Sequence, residues 1–526
     1  ANYDRGAPAG LTISGLTLSD GFGASAGAIY TDGDTNVALA NDVITGNTAT
    51  GQAASFSAPV AADYGGGAIT STGIMSIASS TISGNASSTA GSGKYGGGGI
   101  EALGPMAISG SAISGNTATG QGGGILVGTG KYAVSPLQLT NSTVSGNTAN
   151  YGGGIAFFQA TKYGSSRDQV LNTTISGNTG TNIGGGIALD YLGGASRLTV
   201  SHSTISGNNG SSGSAGGGLA AFYAPGSFQL VDSTLSGNTA GYGGGVFLLG
   251  PSVKYQDSFQ FDNSTVASNG ASSNGGGFYV TDFYSYNGST PSTVGVTSTI
   301  VADNNGPDGP QDLADESGYA PAVQLSFALV ESTGGAKIVE QPAGSNIFAL
   351  DPQLGGLANN GGPTQTRMPA VTSPVVDKGI SPGPLATDQR GDPRRVDTSV
   401  PIAADGTDIG AVELSSGPPG EAPGAVPTIR FHNLKKKRHG KRVLYTHHKR
   451  PKVHFYFTSR IPGLVFLCRA DKHHYKRCKS PFTVRLSSAP GKGKAHRIQV
   501  IAVDPATGKR SKPKTIKFRI VRKTRR

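Results

Sequence analysis

The sequence is dominated by a repeat of about 30 residues, in which Ser-Gly-Asn is followed by Gly-Gly-Gly and then by a short apolar run. Successive asparagines of this repeat or its near matches are 38, 31, 31, 31, 30, 30 and 31 residues apart, beginning at Asn47 and ending at Asn269. A period that regular indicates stacked copies of one structural unit. Within each unit, short segments rich in Ile, Val, Leu and Thr alternate with Gly, Asn and Ser, which predicts strands and turns without helices.

A circuit of about 30 residues is typical of an all-β fold, the right-handed parallel β-helix, in which each strand pairs with its counterpart one coil away at ~4.8 Å. Eight or nine coils would make a rod roughly 40 Å long. We expect the triple glycine at a corner, where the chain needs a positive φ or a close approach between coils. The apolar residue after each corner should then stack inward: Ile69, Ile100, Ile125, Ile155, Ile187, Leu219, Val246 and Phe278.

The repeated asparagine predicts an asparagine ladder. An Asn at a turn tolerates left-handed backbone geometry, and its amide can bond the same amide one coil away, at ~0.5–1.5 kcal/mol per hydrogen bond. The alternative is a row of asparagines presented to a ligand, but burial with their own kind satisfies the amides at lower cost. The predicted ladder consists of Asn85, Asn116, Asn147, Asn178, Asn208, Asn238 and Asn269.

The signatures GGG-I and S-x-x-S-G-N-x-A carry a resemblance to a known class of proteins. In residues ~10 to 306 the chain resembles secreted bacterial right-handed β-helix proteins, including the polymorphic outer-membrane adhesin type. The resemblance implies a β-helix over residues 1–306. It implies no particular activity, because β-helices serve as lyases, hydrolases, adhesins and stalks.

After Asp303 the period lapses, and residues 307–414 contain FALDPQLGGLANNGGPTQT, SPVVDKG, TDQRGDPR and DIGAVEL. In this order they resemble the choice-of-anchor Q segment that follows such β-helices in surface proteins, with a departure at MPAVTSP. We expect this segment to cap the ladder edge of the last coil. Asp388, Arg390, Asp392 and Arg394 are expected to tie a loop together by charge-assisted hydrogen bonds, and a charged site is the alternative.

A Pro/Gly-rich linker, residues 415–427, precedes a basic module, residues 428–526. Alternating apolar residues in RPKVHFYF, PFTVRL and KTIKFRIV predict a small antiparallel β-sandwich. The elements FYFTSR, PGLVFLCRADKHHYKRCKSPF and AVDPATGKR resemble a bacterial Ig-like repeat, although Lys, Arg and His stand where that repeat has acidic or neutral residues.

Cys468 and Cys478 are the only cysteines, with nine residues between them. A hairpin of that length can bring them within bridging range, which predicts a disulfide and an extracytoplasmic location. The alternative is a metal site that adds neighbouring histidines, such as His473 and His474.

Charge is distributed unevenly along the chain. Residues 1–420 contain 13 Lys and Arg against 28 Asp and Glu, a net of −15, whereas residues 421–526 contain 30 against 3, a net of +27. This asymmetry favours an anionic partner over a merely solvated surface. We expect a cell-wall or extracellular anionic polysaccharide, and nucleic acid only as a non-specific polyanion. The candidate contacts are Lys435, Lys436, Lys437, Arg438, Lys441 and Arg442.

The coils contain little that resembles an active site. A polysaccharide-cleaving site needs clustered carboxylates, or a base beside bound calcium, and the acidic residues here occur in different registers. Asp190, which takes the place of Phe158 and Phe222 of neighbouring coils, is the catalytic candidate. Aromatic residues after the corner could stack on sugar rings where they point outward. The candidates are Phe158, Phe222, Tyr223 and Tyr279, and the candidate calcium ligands are Asp303, Asp308 and Asp312.

These features together predict a monomeric, non-enzymatic, secreted or cell-surface protein without a cofactor. Its β-helix would be an adhesive or carbohydrate-binding stalk, and its basic module would hold an anionic envelope polymer. The alternative is a polysaccharide lyase or glycoside hydrolase that acts on the outer face of the β-helix. The chain has no apolar run of the ~20 residues that a membrane-spanning helix needs. It begins ANYDRGAP, which indicates a mature or truncated start.

Overall fold

The structure is a computed structural model that describes residues 10–31, 35–51, 65–88, 96–128, 136–158, 166–190, 196–222, 226–250, 258–282, 293–316, 322–383, 386–394, 404–414, 428–430, 435–436, 442–458, 465–471, 473–490, 494–503, 511 and 513–523. The chain forms two compact units, Ala1–Leu414 and Ser415–Arg526. Every regular element of the described residues is a β-strand, which confirms the all-β prediction.

The first unit is a parallel β-solenoid, in which the chain passes through four sheets in turn during each coil. We number the sheets 1 to 4 in the order in which the chain enters them. Neighbouring strands are parallel and in register, apart from two register shifts, after Ala149 and after Ala240, and one antiparallel pair at the end of sheet 3. In the described part of the chain, sheets 1 and 2 contain 12 strands each, sheet 3 contains 11 and sheet 4 contains 10.

Sheet 1 consists of Gly10–Ser14, Asn36–Ala40, Met75–Ala78, Met106–Ser109, Leu137–Thr140, Arg167–Leu171, Ser196–Ser201, Gly226–Val231, Ser258–Asp262, Thr293–Thr297, Val323–Ser326 and Ile338–Glu340. Sheet 2 consists of Thr17–Ser19, Val43–Thr45, Thr81–Ser83, Ala112–Ser114, Thr143–Ser145, Thr174–Ser176, Thr204–Ser206, Thr234–Ser236, Thr265–Ala267, Ile300–Ala302, Leu329–Val330 and Ile347–Phe348.

Sheet 3 consists of Phe22–Gly23, Thr48–Ala49, Ala86–Ser87, Thr117–Ala118, Thr148–Tyr151, Thr179–Ile183, Asn209–Gly210, Thr239–Tyr242, Gly270–Asn274, Asn305–Gly306 and Gly309–Pro310. Sheet 4 consists of Ile29–Thr31, Ile69–Ser71, Ile100–Ala102, Ile125–Gly128, Ile155–Phe158, Ile187–Asp190, Leu219–Phe222, Val246–Gly250, Phe278–Asp282 and Leu313–Asp315.

One hydrophobic core runs along the inside of the solenoid, because alternate residues of each strand point inward. In sheet 4, Ile100, Ile125, Ile155 and Ile187 lie in register on successive coils, and each is 0% exposed. Inward residues of sheets 1 and 2 join the same cluster. The apolar residue after each glycine triplet is therefore repeated because it forms one column of this core.

The glycine triplets form the corner that precedes sheet 4. Gly152 has a φ of 61°, in the left-handed region that side chains disfavour. A Cβ atom on Gly154 would lie 2.6 Å from the carbonyl oxygen of Gly186 and 3.0 Å from the side-chain nitrogen Nδ2 of Asn178. Glycine is thus required both by the backbone conformation and by the close approach of successive coils.

The ladders continue beyond residue 306 to Ile338–Glu340 in sheet 1 and Ile347–Phe348 in sheet 2. The described residues 351–383, 386–394 and 404–414, which we call the return segment, then lie along the outer face of sheet 2. Thr204 Oγ1 donates to the Gln365 carbonyl at 2.5 Å, and the Ala411 amide donates to Thr265 Oγ1 at 3.1 Å. The return segment therefore covers one side of the solenoid over these coils.

Two buried arginines hold the return segment in place. Arg394, which is 0% exposed, donates from Nε to Asp232 Oδ1 at 2.8 Å and from Nη2 to the carbonyls of Asn263 and Gly410. Arg390 bonds Asp388 through Nε and Nη2, at 2.9 and 2.7 Å. The charged run therefore ties its own loop together, and through Arg394 it also binds the solenoid.

The second unit contains two small sheets. The three-stranded sheet has the order Thr428–Arg430, Lys452–Thr458 and Phe482–Arg485. The six-stranded sheet has the order Lys435–Lys436, Arg442–Thr446, Lys514–Arg522, Lys494–Val503, Val465–Ala470 and Lys476–Cys478. All neighbours are antiparallel except Arg442–Thr446 with Lys514–Arg522.

The two small sheets pack face to face around one hydrophobic cluster. Phe455 and Phe457 of the three-stranded sheet share this cluster with Ile498 and Phe518 of the six-stranded sheet. Cys468 and Cys478 are joined by a disulfide, as the sequence predicts, and no cysteine is free to bind a metal ion. Each sheet consequently has one face on the core and one outer face.

Candidate functional site

The asparagines of the repeat are part of the solenoid scaffold. Asn116 donates from Nδ2 and from its backbone amide to Asn147 Oδ1, both at 2.9 Å, and Asn147 bonds Asn178 in the same way. The same pattern joins the whole column from Asn47 to Asn304, and its side chains are at most 1% exposed. Side chains so buried cannot be presented to a ligand, which excludes that alternative.

The ladder ends at an aspartate that the repeat pattern does not identify. Asn304 donates from its amide and from Nδ2 to Asp312 Oδ1, and the Ser332 amide donates to Asp312 Oδ2. Burial raises the pKa of Asp312 to about 7. The other two candidate calcium ligands lie apart from it: Asp303 faces Arg367 at 3.4 Å, and Asp308 is exposed. Asp312 thus serves the ladder.

The aromatic residues after the corner pack mainly on one another. Phe222 is half-buried and stacks on Phe247 at a centroid distance of 4.9 Å, and Tyr279, 8% exposed, contacts both Phe247 and Tyr242. Phe222, Phe247 and Tyr279 belong to a second hydrophobic cluster, on the outer face of sheet 4. Tyr279 therefore offers little ring surface to a sugar.

The remaining outward candidates on sheet 4 follow one another along the axis. Phe158, which is half-buried, Asp190 and Phe222 pair on successive coils, so Asp190 occupies the backbone position that the sequence predicts. The side chain of Asp190 and the whole of Tyr223 lie outside the described residues. Phenylalanines thus lie at the positions that pair with Asp190 on both neighbouring coils, so neither coil provides it with a second carboxylate there.

A buried carboxyl group on sheet 4 escapes the sequence analysis. Glu101 is 0% exposed, and Thr70 Oγ1 is 3.3 Å from its Oε2, whereas its Oε1 has no hydrogen-bond partner among the described residues. Burial raises the pKa of Glu101 to about 8, so the carboxyl is mainly protonated at neutral pH. A group this inaccessible cannot contact a polymer substrate.

Three more buried acidic residues meet in the return segment. Oxygen atoms of Asp377, Asp408 and Glu413 lie within 4.8 Å of one another. Burial, with the nearby charge of Asp377, raises the pKa of Asp408 to about 6. Backbone amides of Asp377 and Leu414 donate to Asp408, and the Asp408 amide donates to Glu413. Three buried carboxyl groups at this separation could hold a cation or share a proton. The hydrogen bonds from backbone amides also explain the cluster as a structural part of the return segment.

The basic stretch that the sequence singles out is only partly described. Lys435 and Lys436 form an edge strand whose backbone pairs with Val443 and Arg442. Lys437, Arg438 and Lys441 lie outside the described residues, and the side chains of Lys435, Lys436 and Arg442 are likewise not described.

The outer faces of the two small sheets carry cations that the sequence analysis missed. Lys452 lies directly opposite Arg485 in the three-stranded sheet, and both side chains are exposed. Arg497 lies directly opposite Lys517 in the six-stranded sheet. Like charges in directly opposite positions destabilise the pairing of the two strands. Among the described residues none of the four makes an ion pair.

The single described acidic residue of this unit is already engaged. Asp471 accepts the Arg497 amide at Oδ1 and bonds the buried His496 Nδ1 through Oδ2, both at 2.8 Å. Its carboxylate is therefore directed at the backbone and at an inward histidine. The four cations keep their charge available to an external anion.

The chain was compared with known proteins. No family model matches it, and neither a curated protein nor a solved structure matches it. The resemblances to adhesin-type β-helices, to a choice-of-anchor segment and to an Ig-like repeat therefore stay predictions. Within the described part of the chain, no helix is long and apolar enough to cross a membrane.

Proposed function

We propose that this protein is a non-enzymatic, secreted or surface-attached protein whose C-terminal unit binds anionic polymers of a cell envelope. The β-solenoid is the stalk. The resemblance to secreted bacterial β-helix proteins supports an adhesive or carbohydrate-binding role for it. The disulfide between Cys468 and Cys478 is consistent with an oxidising compartment.

The observation that carries the proposal is the pairing of like charges on the outer faces of the small sheets. Lys452 faces Arg485, and Arg497 faces Lys517, without an acidic partner among the described residues. Folding alone gains nothing from such pairs, whereas a polyanion that lies across them turns repulsion into attraction and releases counterions. The net charge of +27, from 30 basic against 3 acidic residues in 421–526, adds a long-range attraction.

The burial of its polar residues favours a scaffold role for the solenoid over an enzymatic role. Its repeated polar residues, from Asn47 to Asn304, bond one another inside the coils, and Glu101 is enclosed. Its outer face on sheet 2 is covered by the return segment from Thr204 onwards. A solenoid scaffold and a separate basic unit suit a protein that is held at an anionic surface.

The test is salt-dependent retention of the full chain on immobilised polyanions. Lys452→Gln with Arg485→Gln should lower the slope of log K against log salt by about one per lost contact. The matched control is Arg167→Gln with Arg197→Gln, an exposed register pair on sheet 1 that lies within residues 1–420, whose net charge of −15 repels a polyanion. Retention that is insensitive to salt, or an equal effect of the control, would exclude the proposed role.

A further inference from the structure

We propose that the coils of sheet 2 that the return segment leaves uncovered bind a neutral polysaccharide whose sugar rings carry N-acetyl groups, with the hydroxyls of Thr143 and Thr174 on one acetamide. This inference rests on the carbohydrate-binding role proposed for the stalk, and it names the ligand class and the site. Neither threonine is among the sugar-binding candidates that the sequence suggests.

The outer face of sheet 2 carries a column of threonine hydroxyls. Its strands repeat a triplet of the type Thr-x-Ser, in which the middle residue is buried in the core of the solenoid. Four of these threonines lie in register on successive coils: Thr143, Thr174, Thr204 and Thr234. Because neighbouring coils are ~4.8 Å apart, the hydroxyls recur at a regular spacing along the axis.

The covered half of this column shows what the hydroxyls bind. Gln389 of the return segment places its carboxamide between two coils, where its Oε1 accepts from Thr234 Oγ1 at 2.6 Å. Its Nε2 lies 3.1 Å from Thr204 Oγ1 and 3.0 Å from the carbonyl oxygen of Ser203, and two further acceptors for Nε2 belong to the return segment itself. A hydroxyl both donates and accepts, so two threonines on adjacent coils bind the two ends of one amide group.

The same pair of hydroxyls is open on the two preceding coils. Thr143 is exposed and Thr174 is half-buried, whereas Thr204 and Thr234 are 0% exposed beneath the return segment. Among the described residues, neither of the two open hydroxyls has a hydrogen-bond partner. An amide group of a ligand can therefore lie here in the way that the carboxamide of Gln389 lies between the next two coils.

The uncovered face is uncharged, which selects a neutral ligand. Its strands contain no charged residue, and they are Thr17–Ser19, Val43–Thr45, Thr81–Ser83, Ala112–Ser114, Thr143–Ser145 and Thr174–Ser176. The net charge of −15 in residues 1–420 repels an acidic polysaccharide from this part of the chain. Six coils span roughly 24 Å, which accommodates several sugar units. A polymer with an acetamide on each ring thus supplies neutral amides along the whole face.

A protein partner fits this face less well. Protein–protein interfaces centre on large anchors such as aromatic residues and arginine, and serine and threonine are rare among them. The return segment itself has apolar anchors, since Val375 and Ile409 share a hydrophobic cluster with Ile300 of sheet 2. The outward residues of the uncovered strands are threonine, serine or alanine, apart from Val43. Such a surface offers hydrogen bonds without an anchor, which suits a hydrophilic polymer.

The experiment measures the dissociation constants of the full chain for the N-acetylglucosamine hexamer and for cellohexaose, which has the same ring linkage and a hydroxyl in place of each acetamide. We expect the N-acetylated hexamer to bind about tenfold more tightly, from two additional hydrogen bonds. Thr143→Val with Thr174→Val keeps the β-branched shape, removes both hydroxyls and should abolish this difference. Unchanged hydrogen exchange in Ile155–Phe158 and Ile187–Asp190, on the same two coils, would show that the variant is folded.

The matched control is Thr12→Val with Thr199→Val on sheet 1. It also removes one exposed and one half-buried threonine, but the residues paired with these two on the neighbouring coils are alanine and glutamine, so no second hydroxyl lies beside either. The control should leave both dissociation constants unchanged.

Each outcome separates this inference from the proposed function. Salt-dependent retention on polyanions tests the C-terminal unit, and Thr143→Val with Thr174→Val should leave it unaltered. If the unaltered chain binds the N-acetylated hexamer no more tightly than cellohexaose, or if the control abolishes the difference as well, this inference is overturned while retention still decides the proposed function. Equally tight binding of a glutamine hexapeptide that is lost in the double variant would also overturn it, in favour of a peptide ligand.

Discussion

The buried carboxyl of Glu101 makes the stability of the solenoid depend on pH. Its pKa is about 8 in the folded protein against 4.5 for the free side chain, because burial penalises the ionised form. Between these pH values the folded state holds a proton that the unfolded state has released. The contribution of Glu101 to the free energy of unfolding is therefore largest below pH 4.5 and falls as the pH rises towards 8.

The substitution Glu101→Gln measures this effect, since the amide has the shape of the protonated acid and does not titrate. The pKa difference of about 3.5 predicts that, relative to pH 4.5, the free energy of unfolding is lower by ~3 kcal/mol at pH 7 and by ~5 kcal/mol at pH 8. We expect the variant to be more stable than the unaltered chain at pH 8 by an amount of this order, and nearly equal to it at pH 4.5.

Urea unfolding at pH 5, 7 and 8 gives the overall free energy, and hydrogen exchange in Ile69–Ser71 and Ile125–Gly128 reports the coils beside Glu101. Asp308→Asn, which neutralises an exposed carboxyl far from the core of the coils, is the control substitution measured beside it. If Glu101→Gln and the unaltered chain lose stability in parallel from pH 5 to pH 8, the reasoning is refuted.

Three further substitutions test the contacts that define the fold. Asn147→Ala removes the acceptor of two donors on Asn116 and should lower the free energy of unfolding by ~2–4 kcal/mol in urea titrations; a loss below ~0.5 kcal/mol would contradict the ladder. Arg394→Met removes the guanidinium from the buried Asp232 carboxylate and should lower the free energy of unfolding by ~3–5 kcal/mol, with faster proteolysis of the return segment. Adding Asp232→Asn should restore part of this free energy, and no restoration would refute the pairing. Cys468→Ser opens a loop of sequence separation 10 and should destabilise the C-terminal unit by roughly 2–3 kcal/mol, seen as a lower melting temperature of that unit alone; an equal shift of the solenoid transition would count against it.

The residues of the proposed site were hidden in the sequence by their spacing. Lys452 and Arg485 alternate with apolar residues in KVHFYF and FTVRL, so the pattern indicates strands and no basic cluster. The contiguous run LKKKRHGKR attracts attention because its charges are adjacent in the chain. Which cations share a face depends on strand register, and register between Lys452–Thr458 and Phe482–Arg485 is a tertiary property.

The solenoid, by contrast, could be derived from the repeat. Because every coil repeats the same residues, a local property such as the glycine corner or the inward isoleucine is multiplied along the axis, and identical neighbours can pair only with one another. The asparagine column follows from the same periodicity, from Asn85 to Asn269. Its terminal acceptor Asp312 could not be read in this way, since it replaces the asparagine once the period has lapsed.

The amino-acid sequence by itself determined the parallel solenoid, the disulfide and the division of charge, because each depends on residue types at fixed spacing. Only the tertiary structure decided that the return segment covers sheet 2, that Glu101 is enclosed, and that Lys452 faces Arg485. Burial and register are set by contacts between residues far apart in the chain, and no local pattern records them.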